Sequence, residues 1–240
     1  MLDERLETKE KNVIASIAKQ SIIILFVATF FSACTDYVQQ IEDRYGEWET
    51  SDEVSSSSSV KAVDPADVVV GSMTDSRDGQ TYKTVSIGTQ TWMAQNLNYK
   101  TEDSYCYNDD SANCTKYGRL YTWAAAITAC LSGWHLPSGT EWNTLISVVG
   151  GSSTAGAKLK SSSGWTGYGN GTDAFSFSAL PAGDRDYYGG SYCEGLYANF
   201  WSSTGDDRYA CLMHLNHGDD AADLRNSYKI HGHSVRCLQD

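Results

Sequence analysis

The cysteine pattern constrains the fold of this 240-residue chain more than any other feature of its sequence. Six cysteines lie between residues 106 and 237, namely Cys106, Cys114, Cys130, Cys193, Cys211 and Cys237. An even number of cysteines in an exported chain predicts a disulfide framework, although six cysteines allow about 15 pairings. A local bridge is the simplest closure for the short polar loop between Cys106 and Cys114. Zinc sites normally use CxxC-type spacing, which this sequence lacks, so disulfides are favoured over metal.

Residues 1–33 have the features of a bacterial signal peptide. Lysines precede an apolar run from Ile22 to Phe31, and small residues then lead into Cys34. A positive segment, a short apolar segment and small residues before a cleavage point are typical of such peptides. The run is about half of the ~20 residues that a membrane span needs. The segment around Cys34 resembles the lipobox of bacterial lipoproteins. We therefore expect an exported protein whose lipidated Cys34 anchors it in a membrane, at the outer membrane or the cell surface.

Residues 34–74 have the composition of a flexible tether. Residues 35–74 contain nine acidic residues against Arg44 and Lys61, and Ser55–Ser59 is an unbroken serine tract. Such a segment buries too little apolar area to offset the entropy of ordering it. We expect a disordered tether with a reach on the order of 35 Å.

Residues 75–240 are long enough to form one globular domain with a core of ordinary size. They carry 17 acidic and 12 basic residues, a net charge of −5, and the whole chain has a net charge of −12. No basic face indicates a nucleic-acid partner. The acidic surface disfavours anionic partners in general and does not specify a ligand.

Short strands are predicted along most of this domain. Residues 81–87 and 90–93 flank Gly88-Thr89, which indicates a β-hairpin. Further strands are predicted at 175–180, 200–203, 209–215 and 234–238, from alternation and aromatic or β-branched content.

Two helices are predicted between the hairpin and the later strands. Apolar residues with a 3.6-residue period predict the first over residues 119–130. Ser138 and Glu141 form a capping box that begins the second, which continues to about Val148 and ends at Gly150-Gly151. A hairpin, two helices and then several strands are typical of an α+β domain with an antiparallel sheet.

Several motifs are specific enough to indicate a family, and they span residues 79–98, 117–123, 133–138, 177–181, 201–204 and 234–237. Together they resemble the Fibrobacter succinogenes major paralogous domain over about residues 75–240. This resemblance implies an exported protein or lipoprotein, in a family whose biochemical activity is not established. The order of the first helix, its cysteine, the Gly133–Pro137 segment and the final Val-Arg-Cys more distantly resembles the C-type lectin-like fold. The sulfatase-modifying-factor enzymes share that fold.

The lectin-like resemblance implies both a fold and a disulfide pairing. The implied fold is α+β, with two helices, a twisted antiparallel sheet and long loops linked by disulfides. The implied bridge joins the first helix to the last strand as Cys130–Cys237. This pairing leaves Cys193–Cys211 and Cys106–Cys114.

No residue pattern indicates catalysis, and we expect that the protein is not an enzyme. Sulfatase-modifying enzymes use a close cysteine pair near the C-terminus, but no cysteine lies between Cys211 and Cys237. The segment Trp201–Gly205 is not a nucleophile elbow. A glycosidase would need paired carboxylates, and the candidates are loop residues that favour a solvated surface: Asp184, Asp186, Asp206 and Asp207.

Two groups of side chains have the chemistry of metal ligands. His214 and His217 would point to opposite faces of a strand, and His231 and His233 lack an obvious third ligand, so structural roles are favoured. No cofactor is expected, and the alternative is calcium bound at an acidic cluster formed by Asp219, Asp220, Asp223 and Asn226. The lectin signatures Glu-Pro-Asn and Trp-Asn-Asp are absent, and a solvated loop is the favoured alternative.

The loop 184–199 is the strongest binding candidate because it places four tyrosines among glycines: Tyr187, Tyr188, Tyr192 and Tyr197. Rigid amphipathic rings suit a recognition surface, and aromatic faces stack on sugars. The equally weighted alternative is that these rings pack on Trp201. We expect a binding module for polysaccharide or another surface protein. The alternative is a non-catalytic structural or interaction module of the cell envelope.

Overall fold

The folded part of the chain begins before the predicted domain boundary. A computed structural model of the protein describes residues 61–240. The predicted signal peptide, the lipidation of Cys34 and most of the predicted tether lie outside the described residues. The last residues of that tether form a strand, Val69–Thr74, which pairs antiparallel with the strand that follows. The predicted end of the tether at residue 74 is therefore wrong. This strand shows no alternation because nearly all of its side chains are exposed.

The described residues contain twelve strands: β1 (Val69–Thr74), β2 (Thr81–Ile87), β3 (Gln90–Met93), β4 (Ser104–Tyr105), β5 (Leu120–Tyr121), β6 (Trp134–His135), β7 (Asp184–Arg185), β8 (Ser191–Tyr192), β9 (Tyr197–Gly205), β10 (Tyr209–Asn216), β11 (Ala222–Tyr228) and β12 (Leu238–Gln239). One sheet has the order β1-β2-β3-β12-β6, a second has β11-β10-β9, and β4-β5 and β7-β8 form two small pairs. All of these pairs are antiparallel. The last strand lies inside the first sheet, so the end of the chain is held between β3 and β6.

Residues 61–240 contain four α-helices where the sequence predicted two: α1 (Ser111–Tyr117), α2 (Trp123–Ala129), α3 (Gly139–Val148) and α4 (Ser152–Leu159). The two predicted helices are confirmed as α2 and α3. Ser138 and Glu141 form the predicted capping box of α3. Among these helices none combines the length and apolar content needed to cross a membrane. The domain is therefore mixed α and β, with several antiparallel sheets.

The predicted strand over residues 175–180 is wrong, although its alternation is real. Phe175, Phe177 and Ala179 are buried, but the intervening Ser176 and Ser178 have φ of 55° and 52°. This left-handed backbone does not belong to a β-strand. The carbonyl groups of Phe177 and Ser178 instead accept hydrogen bonds from a buried side chain, that of Arg236.

Arg236 joins three parts of the chain from inside the core. Its guanidinium is fully buried and donates to the carbonyl oxygens of Met93, Phe177 and Ser178 and to Oδ1 of Asn96, at 2.6–3.0 Å. Burial lowers the pKa of Arg236 to about 9, so the group stays charged at neutral pH. A buried cation without hydrogen bonds is very costly, and here these four acceptors satisfy it.

An aromatic cluster fills the space between α3 and the two larger sheets. Trp92 and Trp142 lie with ring centroids 4.5 Å apart, and Phe177 and Phe200 contact Trp142 at 6.2 and 5.9 Å. All four side chains are buried. Trp92 and Trp142 are therefore core residues.

Two of the three implied disulfides are present. Cys106–Cys114 links residues at the two ends of a short loop, and Cys130–Cys237 links the C-cap of α2 to the segment before β12. The implied Cys193–Cys211 bridge is wrong, because Cys211 is a free thiol while Cys193 is disulfide-bonded. Cys211 lies on β10, where its sulfur faces α3 close to Gly139. Burial raises the pKa of the Cys211 thiol to about 11, so at neutral pH this thiol stays protonated and unreactive.

Candidate functional site

The hairpin formed by β7 and β8 presents two of the predicted tyrosines at its tip. Asp186 closes the turn, since its Oδ1 accepts from the N–H of Gly190 at 2.7 Å. The N–H of Asp186 also donates to the carbonyl of Gly190 at 2.8 Å. Between them Tyr187 and Tyr188 are 57% and 81% exposed, and their ring centroids are 3.8 Å apart. The turn thus holds two large aromatic rings in water, side by side.

These rings line a cleft of about 190 Å³, hereafter the tyrosine cleft, whose walls are Tyr105, Thr122, Arg185, Asp186, Tyr187, Tyr188, Gly189, Ile230 and Gly232. Main-chain hydrogen bonds in both directions between Arg185 and Gly232 hold the hairpin against the segment after β11. The Arg185 guanidinium lies 4.4 Å from the ring centroid of Tyr105 and pairs with Asp109 at 2.9 Å. Ile230 is 56% exposed. The cleft therefore combines exposed apolar surface with one cation and one carboxylate.

The other two predicted tyrosines are not part of the tyrosine cleft. Tyr197 is half-buried, with its ring centroid 5.1 Å from that of His214. Tyr192 is half-buried too, and burial together with the carboxylate of Asp186 raises its pKa. The four predicted tyrosines therefore fall into two pairs: Tyr187 and Tyr188 are exposed to solvent, whereas Tyr192 and Tyr197 are half-buried.

The carboxylates considered for a glycosidase are not arranged as a pair in this cleft. Among the lining residues only Asp186 carries a carboxylate. Asp184 is a buried residue of β7, and burial, with a smaller contribution from Asp186, raises its pKa to about 7. Asp206 lies in the β9–β10 turn, where its Oδ1 accepts from the N–H groups of Arg208 and Tyr209.

The region that forms the tyrosine cleft also matches a known protein family. The sequence profile of the Fibrobacter succinogenes major domain matches residues 85–239, which is more than half of the 240 residues. The chain belongs to this family. Every residue that lines the tyrosine cleft falls within the matched region of the Fibrobacter succinogenes major domain. No curated protein and no solved structure matches the chain significantly.

In this Fibrobacter succinogenes major domain the predicted calcium ligands are not brought together. Asp219 and Asp220 lie in the β10–β11 loop, whereas Asp223 and Asn226 lie three residues apart on β11 and point to opposite faces. Asp223 pairs with Arg225 at 2.9 Å. Within residues 61–240, no group of three or more His, Cys, Asp or Glu side chains is placed to hold a metal ion.

A buried lysine ammonium holds two carbonyl groups of this loop. Lys160, at the C-cap of α4, is 2% exposed, and its Nζ donates to the carbonyl oxygens of Asn216 and Asp219 at 3.0 and 2.7 Å. Burial lowers the pKa of Lys160. The sequence reasoning missed this residue, because a lysine at the end of a short helix gives no signal that it will be buried.

The histidines have structural partners. His214 shares a hydrogen bond of 2.7 Å with Asn199, and His233 shares one of 2.8 Å with Ser227. Burial lowers the pKa of His214 to about 3 and that of His233 well below its usual value, so both rings are neutral. His231 lies with its ring centroid 6.3 Å from that of His233.

His135 of the family motif connects the last residue of the chain to the second predicted helix. Its Nδ1 lies 2.7 Å from Asp240, and its Nε2 lies 3.1 Å from Glu141. Burial alone would lower the pKa of His135, but hydrogen bonds to the two carboxylates outweigh it and raise the pKa. The ring therefore holds Asp240 against the N-terminal turn of α3.

Proposed function

We propose that the protein is an exported, non-catalytic binding module that recognises polysaccharide through the tyrosine cleft. The single observation that supports this function is the pair Tyr187 and Tyr188, exposed and adjacent on a turn that hydrogen bonds hold rigid. Exposed rings with few rotatable bonds lose little entropy on binding and offer flat apolar faces to a sugar ring. Arg185 and Asp186 supply a donor and an acceptor for hydroxyl groups beside them.

The finer fold assignment belongs to the same proposal. A C-type lectin-like domain is supported by the Cys130–Cys237 bridge, which joins an early helix to the segment before the last strand, and by the antiparallel sheets. Export is supported by this disulfide framework, since disulfides persist outside the reducing cytosol. The signal peptide at residues 1–33 and the lipid on Cys34 complete the proposal of a surface lipoprotein.

A protein partner is the alternative ligand for the same surface. Ile230 favours it, because an aliphatic side chain that is 56% exposed lines the same cleft as the two exposed tyrosines. Exposed apolar side chains that lie close together commonly mark protein interaction sites. In that case the chain is an interaction module of the cell envelope.

The test compares the full-length chain with the double variant Tyr187→Ala/Tyr188→Ala on a glycan array and on insoluble polysaccharides, with and without calcium. Loss of both rings should weaken glycan retention about tenfold or more, which corresponds to about 1.4 kcal/mol. Tyr168→Ala is the matched control, because Tyr168 is fully exposed and lies outside the cleft. Tyr168→Ala should bind like the unaltered protein. The unaltered protein and both variants should have the same melting temperature.

Two results would oppose the polysaccharide proposal. If no glycan is retained and a surface protein is captured through the same two tyrosines, the interaction module is correct. If Tyr168→Ala weakens glycan binding as much as the double variant does, the cleft is not the binding site. Separately, mass spectrometry of the intact membrane-extracted protein tests the anchor, and an unmodified Cys34 contradicts the lipoprotein assignment.

A further inference from the structure

A second cleft, of about 270 Å³, opens on a surface that shares no residue with the tyrosine cleft. It lies between β2, the segment that follows β3, the C-terminal half of α1 and the segment 178–180. We name it the amide cleft after the four carboxamide side chains in its walls, which are Gln80, Gln95, Asn96 and Asn98. The remaining walls are Thr81, Tyr82, Lys83, Ala94, Cys114, Thr115, Lys116, Tyr117, Gly118, Ser178 and Leu180.

The charge of the amide cleft is opposite to that of the chain. The chain has 30 acidic and 18 basic residues, yet the cleft walls contain two lysines and no carboxylate. Lys116 is partly neutralised, because its Nζ lies 3.3 Å from Glu194. Lys83 is exposed and forms no ion pair within residues 61–240. A local cation in a negatively charged molecule gives this cleft a preference for an anionic group.

The carboxamides differ in how much hydrogen-bonding capacity they retain. Asn96 is a structural residue, since its Nδ2 donates to the carbonyl of Tyr117 and its Oδ1 accepts from Arg236. Gln95 is exposed, and only its Oε1 is engaged, by the N–H of Lys83 at 2.8 Å. Its Nε2 therefore remains a donor beside the Lys83 side chain.

The other two carboxamides, Gln80 and Asn98, are engaged by neighbouring side chains. The Nδ2 of Asn98 donates to Oε1 of Gln80 at 3.3 Å, and the Nε2 of Gln80 donates to Asp78. The Oδ1 of Asn98 is buried with no hydrogen-bond partner in the part of the chain that the structure describes. Because this oxygen has almost no accessible surface, a ligand in the cleft does not reach it, and the accessible carboxamide donor is that of Gln95.

We infer that the amide cleft is a second ligand site and that its ligand is an acidic saccharide, a sugar chain that carries carboxylates. The carboxylate pairs with Lys83, and the hydroxyl groups bond to Gln95 and Thr115. Hydroxyls donate and accept, as carboxamides do, so the two groups match. An acidic peptide fits less well, because the cleft offers only small apolar surfaces at Ala94 and Leu180 to hold its side chains.

Isothermal titration of the full-length chain with trigalacturonate, cellotriose and triglutamate tests this inference. Trigalacturonate should bind, more weakly as the salt concentration rises, and cellotriose and triglutamate should bind at least tenfold more weakly. Lys83→Gln should weaken trigalacturonate binding about fivefold, as expected for one partly exposed ion pair. Lys100→Gln removes an exposed lysine outside the cleft and should have no effect.

A steric variant keeps the test independent of charge. Thr115→Trp places a large ring in the cleft from an exposed position on α1, so it should abolish binding without changing the melting temperature. The inference is overturned if trigalacturonate does not bind, if triglutamate binds equally well, or if folded Thr115→Trp still binds. The variant Tyr187→Ala/Tyr188→Ala must leave trigalacturonate binding intact, and this separates failure here from failure of the tyrosine cleft.

Discussion

Removal of each disulfide by paired Cys→Ala substitutions gives a quantitative test of the architecture. Cys130–Cys237 closes a loop with a sequence separation of 107, whereas Cys106–Cys114 closes one of 8. In the chain-entropy account a crosslink stabilises the fold by limiting the unfolded chain, and the effect grows with the logarithm of loop length. The two bridges are then worth about 5 and about 2.5 kcal/mol at 25 °C.

The long bridge should therefore matter more, by about 2 kcal/mol. Domains of this size are typically stable by ~5–15 kcal/mol, so the loss of Cys130–Cys237 removes a third or more of a typical value. We expect the double variant Cys130→Ala/Cys237→Ala to unfold at a much lower urea concentration and to be exported poorly. Cys106→Ala/Cys114→Ala should fold and shift the urea midpoint by about half as much.

Equilibrium urea unfolding in a non-reducing buffer measures both free energies. The experiment is done in a Cys211→Ala background, so that the free thiol of β10 cannot exchange with the remaining bridges. Equal losses for the two variants, or a larger loss for the short loop, would refute the entropic reasoning. Normal yield and normal melting of Cys130→Ala/Cys237→Ala would show that the long bridge is unimportant for the fold.

Two further predictions concern buried charges. Because the pKa of Asp184 is raised to about 7 in the folded state from 3.8, the folded state loses stability relative to Asp184→Asn as the pH rises from 4 to 7. Relative to the unaltered chain, Asp184→Asn should gain stability on the order of 4 kcal/mol at pH 8 and little at pH 4. Urea unfolding at each pH measures this difference, and a gain independent of pH would contradict the assignment. Arg236→Met should cost at least about 3 kcal/mol, because the substitution leaves buried acceptors unpaired, including the carbonyl of Phe177. Stability of Arg236→Met equal to that of the unaltered chain would show that these hydrogen bonds contribute nothing net.

The parts of the fold that were predictable are those whose signals are local. Helix α3 was predicted because its capping box and apolar spacing lie within one segment. Helix α1 was missed because its polar residues lie in a loop bracketed by Cys106 and Cys114, and its N-cap, Asp110, was not recognised. Helix α4 was missed because Gly156 weakens the helical pattern. The structure explains that glycine, since a Cβ there would lie 2.1 Å from the carbonyl oxygen of Ala221.

The parts that were not predictable depend on contacts between distant segments. Alternation at 175–180 was correctly read as burial, but only the structure shows that Arg236, 59 residues after Phe177, takes the place of a neighbouring strand. The free thiol of Cys211 could not be inferred from an even count, because counting does not show which sulfurs approach one another. Tertiary packing likewise determines which tyrosines of the loop 184–199 are exposed.

The tyrosine cleft shows the same limit. The sequence indicated the hairpin loop because several tyrosines lie among glycines there without a core period. Ile230 and Tyr105 come from segments far away in the chain, and nothing in their local sequence connects them with Tyr187. A lone isoleucine in a polar run is the one signal that could have pointed to the wall formed by Ile230.

The buried Lys160 has a consequence for how the molecule responds to its surroundings. Its ammonium is attached to the polypeptide, so it cannot be exchanged for another ion or withdrawn by a chelator. The turn between β10 and β11 is therefore held by a positive charge that belongs to the chain itself. The geometry of the turn depends on helix α4, because Lys160 at the C-cap of that helix donates to the carbonyl groups of Asn216 and Asp219.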